Sequence, residues 1–257
     1  MEIQKLPSIP EKALDRAGIL ILFPKGARPS PKDVAALLDN ADSGIPAHVT
    51  HRPDPAEGWL EVLASGLTFD LRGLSPSAPL PHDAMEHVYG FEEAPTLDDL
   101  EAVQLVASGH IAAGAGLQPV VRMLVNLAAN LVLNLPATAV VWPPARTVME
   151  PRYFSRATFN WLSGGAFPAL GLTALETGAN GSVTSAGLAH FIGQELQLEA
   201  REGDSRVDAV KLAIRLVDYL VQQGPLIDRQ TIDLGEGPLL AEPSPVGKRV
   251  WVWREEA

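Results

Sequence analysis

The chain has 257 residues, 20 basic and 31 acidic side chains, a formal charge of −11 and no cysteine. Apolar residues at 46% against 20% charged can bury a sizeable core, in one large domain or two small fused ones, which excludes disorder as the main state. The negative balance repels phosphate backbones and anionic lipid, so neither nucleic acid nor membrane is an expected partner; the missing cysteine removes disulfides, thiolate nucleophiles, zinc ribbons and iron–sulfur clusters.

The start, Met1 to Pro7, lacks the apolar run of a signal peptide. Residues 117–142 are the most apolar stretch, but Arg122, Asn126, Asn130, Asn134 and Pro136 interrupt it. A membrane span needs about 20 nearly uninterrupted apolar residues. The expected setting is a soluble bacterial cytoplasm.

Ala17–Phe23 is a continuous apolar run ended by Pro24, which suits a buried strand. Ser30-Pro31-Lys32-Asp33 opens a helix, with serine as cap, proline in the first turn and Asp33 at the positive end, stopping near Asn40. Residues 41–57 read as loop. Trp59–Leu63 and Leu67–Leu71 form a hairpin, and a short helix is expected around His82–Val88. Ala102–Ser108 is a strand and residues 117–133 a helix with polar positions every fourth residue. Further strands are expected at 137–142, 169–176, 182–190, 226–234 and 249–253, and helices at 151–162 and 208–222.

Aligning Phe23 with Trp142 reveals an internal repeat. In both places an apolar strand ends in aromatic–Pro, a loop carries Ala-Arg (Ala27-Arg28, Ala145-Arg146), and a proline starts the next helix. The implied fold is α+β, two tandem ferredoxin-like βαββαβ halves forming one compact unit, divided as 1–116 and 117–257 with a cleft between them. The run Thr138 to Trp142, Ala145-Arg146-Thr147, Phe154, Gly171-Leu172 and Ala189 to Glu195 resembles an uncharacterised bacterial family, domain of unknown function 4261. That resemblance implies a bacterial cytoplasmic domain and carries over no catalytic residues.

Arg28 and Arg146 occupy equivalent loops ahead of helix starts, where guanidinium and free amides can cradle an anion; each could equally cap a carbonyl or pair with an acid. Gly109–Gly116 lies where phosphate loops occur but lacks the lysine and hydroxyl that a nucleotide loop needs. His82, Asp83, Glu86 and His87 offer metal-ligand spacing on a helix, but too few ligands, so no metal and no cofactor are expected. His190 is a candidate proton-transfer or ligand-binding residue. Between Gly73 and Val121 there are seven acids and no Lys or Arg, including Asp98, Asp99 and Glu101, a face suited to a basic protein partner. Self-association stays among the expected partnerships. The leading functional expectation is a non-enzymatic protein-interaction or small-ligand-binding module. Its rival is an enzyme positioning an anionic small molecule with Arg28, Arg146 and His190 in the cleft.

Overall fold

The structure, a computed structural model, describes residues 18–40, 44–82, 85–201, 203, 205–235 and 237–254. It is α+β and divides into two compact units. One comprises residues up to His82 together with Asp99–Ala137; the other comprises Asp83–Asp98 and the chain from Thr138. The helix expected to open the second half therefore belongs to the first unit.

The first unit contains β1 (Ile19–Pro24), α1 (Pro31–Asp39), β2 (Ala47–His51), β3 (Trp59–Ala64) and β4 (Leu67–Arg72). After β5 (His87–Tyr89), which lies in the second unit, it resumes with β6 (Leu100–Ala107) and α2 (Gln118–Asn134). Its strands follow the order β2-β3-β4-β6-β1, every neighbouring pair antiparallel. Ile19 to Phe23 are buried, as a continuous apolar run ended by proline requires. In α1 the Ser30 hydroxyl accepts from the Asp33 amide while the Asp33 carboxylate accepts from the Ser30 amide, a reciprocal cap. That bonding to Ser30 holds the Asp33 carboxyl below its ordinary range. Helix α2 packs Val121, Leu124, Val125 and Ala128 into the core. Its asparagines form a ladder along the rim, Asn130 donating to the Asn126 carbonyl and Asn134 to that of Asn130.

The second unit holds β5, β7 (Ala139–Trp142), β8 (Thr147–Met149), α3 (Pro151–Leu162), β9 (Ala174–Thr177) and β10 (Val183–Ala186). It continues with α4 (Ala189–Ile192), β11 (Glu195–Leu198), α5 (Arg206–Gln223), β12 (Gln230–Asp233), β13 (Pro238–Pro243) and β14 (Arg249–Arg254). β7 and β8 form a hairpin, and β5 adds to β8 in parallel. A six-stranded sheet runs β12-β13-β14-β11-β10-β9, antiparallel except at β14–β11. Helix α5 covers it with Leu212, Ala213, Leu216, Val217 and Leu220. On β14, Val250 and Val252 are buried while Trp251 and Trp253 stay half-buried on the other face, the period-two alternation of a strand with one face in the core.

The expected tandem βαββαβ sheets are not reproduced: in the second unit the run β8-α3-β9-β10-α4-β11 follows that order, but β8 pairs with β7 and β5 while β9, β10 and β11 belong to the six-stranded sheet. Among the described residues the first unit has five paired strands, and no α-helix lies between β3 and β6. Asp83 and Ala84, within the helix expected at His82–Val88, lie outside the described residues, but His87–Tyr89 is a strand. Two turns beside Pro76, Pro79 and Pro81 make a marginal helix, and pairing with Thr147–Met149 satisfies this backbone instead. In the 169–176 segment only Ala174 onward is extended, because the Leu172 amide turns back to Pro168. Among the described residues no helix is long and apolar enough to cross a membrane.

Candidate functional site

Arg28 follows β1 and is folded inward, with its side chain 8% exposed. Nε donates to Glu101 Oε2 at 2.9 Å, Nη2 to the Ser77 carbonyl at 2.9 Å, and Nη1 to the Gly73 carbonyl. Glu101 also accepts from the Gly26 amide at 3.0 Å, and the hydrogen bond from Arg28 holds its carboxyl below the ordinary range. Two residues expected in separate roles, one for an anion and one for a partner face, are thus bound to each other. Asp98 and Asp99 remain exposed on a short 3-10 turn.

The loop that Arg28 braces walls a pocket of about 340 Å³ in the first unit, near the lower end of the ~300–1,000 Å³ typical of ligand sites. Trp59, Asp70, Arg72, Gly73 and Ser77 line it, with Glu57 and Leu80 beside them. Trp59 and Arg72 are directly opposed in the β3–β4 register, so both side chains rise from one face. Asp70, two residues before Arg72 on that face, is nearly buried. Its Oδ1 accepts from the Ser108 hydroxyl and its Oδ2 from Arg72 Nη2, both at 2.6 Å. Arg72 itself is 40% exposed. Glu57 accepts from the Trp59 indole at 3.2 Å, which fixes the ring. The loop closes tightly: Gly58 has φ 65°, and a Cβ there would fall 2.1 Å from Ser77 Oγ. The pocket therefore offers a rigid aromatic wall, a partly free guanidinium fork and two carboxylates, Asp70 on β4 and Glu57 in the turn before β3.

In the second unit Arg146 ends the β7–β8 turn in the left-handed region (φ 54°). Its guanidinium is 57% exposed and meets Glu86 Oε1 at 2.5 Å, while its carbonyl accepts from the Glu86 and His87 amides. His87 reaches towards Glu176 on β9, and Tyr89 stacks against Tyr153 with ring centroids 6.4 Å apart. Burial raises the pKa of both tyrosine hydroxyls, and the Tyr153 charge adds to the rise at Tyr89.

His190, on α4, packs edge-on against Trp142 with centroids 5.0 Å apart and touches the Phe191 ring. Its Nε2 is buried without a hydrogen-bond partner, and burial lowers its pKa to about 4. Glu195 does not orient it. That carboxylate accepts from the Gly187, Leu188 and Ala189 amides and the Ser185 hydroxyl, capping the turn into α4.

Sequence reasoning singled out neither Trp59 nor Asp70 nor Arg72. Their signal was present in the alternation Thr68, Asp70, Arg72 opposite Trp59 across the predicted hairpin, because period-two spacing puts Asp70 and Arg72 on one face. Compared with known proteins, the chain matches no family model, no curated protein and no solved structure at a significant level.

Proposed function

We propose that the chain is a non-enzymatic binding module whose receptor is the Trp59–Asp70–Arg72 pocket, taking a small zwitterion of amino-acid size. The observation that carries this is the Asp70–Arg72 pair, held from behind by Ser108 and set beside the Trp59 ring. A charged pair already fixed on strands binds a ligand without first being ordered, which removes part of the entropic cost of binding. Arg72 suits a planar carboxylate, and Trp59 with Leu80 suits an apolar or aromatic body. Glu57 and Asp70 leave the lining with one net negative charge, which favours a ligand that also carries an ammonium group and disfavours a dianionic phosphate.

An enzyme built on Arg28, Arg146 and His190 has less support. Arg28 donates to three internal acceptors, and an imidazole with a pKa near 4 and no orienting carboxylate is a weak general base at neutral pH. Membership of the domain of unknown function 4261 family belongs to the same proposal, on the residues that resemble it.

The test is a thermal-shift screen against the free amino acids, followed by titration calorimetry of the best binder. At least one should raise the wild-type Tm, and Arg72→Ala or Trp59→Ala should weaken it about tenfold or more, roughly 1.4 kcal/mol. Absence of any wild-type binder, or affinity unchanged in both variants, would overturn the assignment.

A further inference from the structure

Glu86 immediately precedes the edge strand β5, His87 opens it, and Glu176 lies on β9, the edge of the six-stranded sheet; all three belong to the second unit. One ligand atom from each lies within 4.8 Å of the other two. His87 Nε2 is buried and has no hydrogen-bond partner, although Glu176 Oε1 is only 3.3 Å away. An imidazole carrying a proton on Nε2 and placed for a carboxylate would direct that N–H at the oxygen, and this one does not. Two donors on one tetrahedral ion, each about 2.0–2.1 Å from it, stand roughly 3.3–3.4 Å apart without pointing at each other. The His87–Glu176 separation is that of a shared ion.

Glu86 fits as the third donor. One of its oxygens is held by Arg146 at 2.5 Å, which leaves the other oxygen available and its carboxylate oriented. Glu86 and Glu176 are about half exposed, so modest side-chain rotation closes the 4.8 Å spread. Two carboxylates brought this close repel one another, and a dication between them reverses the sign of that interaction.

We propose that Glu86, His87 and Glu176 bind a divalent first-row transition ion, with Zn²⁺ the preferred occupant. One imidazole nitrogen with two carboxylate oxygens is a borderline donor set, which suits zinc, cobalt or manganese better than the all-oxygen preference of calcium or magnesium. Three protein ligands leave a coordination position for water or an anion. Arg146 acts as a positioning residue through Glu86. This site reverses the sequence expectation of no metal and is independent of the pocket in the first unit. It was missed because ligands were sought on one helix, whereas the backbone is a strand from His87 and the third ligand comes from Glu176.

Titration calorimetry of chelator-treated full-length protein with Zn²⁺ alone, at neutral pH, tests the site. One equivalent should bind with a Kd of micromolar or below, and His87→Ala and Glu176→Gln should each weaken it at least tenfold while the far-ultraviolet circular dichroism is unchanged. Co²⁺ in place of zinc should give visible d–d bands that disappear in both variants. Because Glu176 is exposed, its substitution separates lost ligation from lost folding. No stoichiometric binding by the wild type would overturn the proposal, as would binding that persists unchanged in Glu176→Gln.

Discussion

The loops after β1 and after β7 begin alike and end oppositely. Each leaves its strand through an aromatic–Pro pair and reaches an Ala-Arg, yet Arg28 is 8% exposed and Arg146 is 57% exposed. In the first loop the left-handed residue is Gly26 (φ 76°), the Ala27 amide closes on Pro24, and the chain passes into α1 with Arg28 turned inward. In the second, the turn runs Pro143 to Arg146, and Arg146 itself takes the left-handed conformation before β8 begins. One residue fewer between proline and arginine converts a strand–helix connection into a hairpin tip. A short shared motif therefore says little about what its arginine touches until the position of the left-handed residue is known.

The sharpest way to break this contrast is Arg28→Ala. It leaves the Gly73 and Ser77 carbonyls without their Arg28 donors and Glu101 with the Gly26 amide alone, and the two carbonyls set the expected loss at about 2–4 kcal/mol in urea unfolding. A loss under about 1 kcal/mol would mean that Arg28 is not a brace and that its guanidinium is available after all.

His190 extends the contrast, because it is a buried polar group in the second unit whose Nε2 has none of the partners that Arg28 enjoys. Its pKa falls from 6.5 to about 4 on folding, so between those values the unfolded chain binds a proton that the folded chain does not. Stability from this group is therefore complete above pH 6.5 and lost as pH falls towards 4, by on the order of 2–3 kcal/mol. His190→Phe should flatten that part of the stability–pH curve relative to wild type; parallel curves would show that the imidazole is solvated.

The smallest expected effects lie in the turns themselves. Gly26→Ala should cost about 1 kcal/mol, since nothing crowds its Cβ and only the left-handed backbone resists. Arg146→Gly should stay within about 1 kcal/mol of wild type, its lost surface pair being offset by an easier left-handed conformation. Equal losses at Gly26 and Arg146 would erase the distinction between the two loops.

Local signals in the sequence were read correctly where local physics decides. The capped helix after Ser30, the hairpin around Ser65-Gly66, the apolar strands ending at Pro24 and Trp142 and the long helices α2, α3 and α5 all stand close to their expected positions. Strands fixed by distant partners were not legible. β5 is a strand because Thr147–Met149 is beside it, and β2, β8, β11 and β13 carry too few apolar residues or too short a run to declare themselves. The same limit governed the sites. Arg28 and Glu101 are 73 residues apart, and the Glu86–His87–Glu176 group draws its last member from a different sheet. The pocket was closer to hand, since Trp59, Asp70 and Arg72 share one hairpin, but a hairpin face reads as structure until its neighbours show that it is open.

The most direct test of the central assignment is a set of ¹H–¹⁵N correlation spectra following the Trp59 indole N–H and the Arg72 Nε–H while the best-binding amino acid is added. Both signals should shift and saturate together with one affinity, while the buried Trp142 indole in the second unit stays in place. Saturable shifts elsewhere with Trp59 and Arg72 stationary would contradict the account and move the binding site out of this pocket.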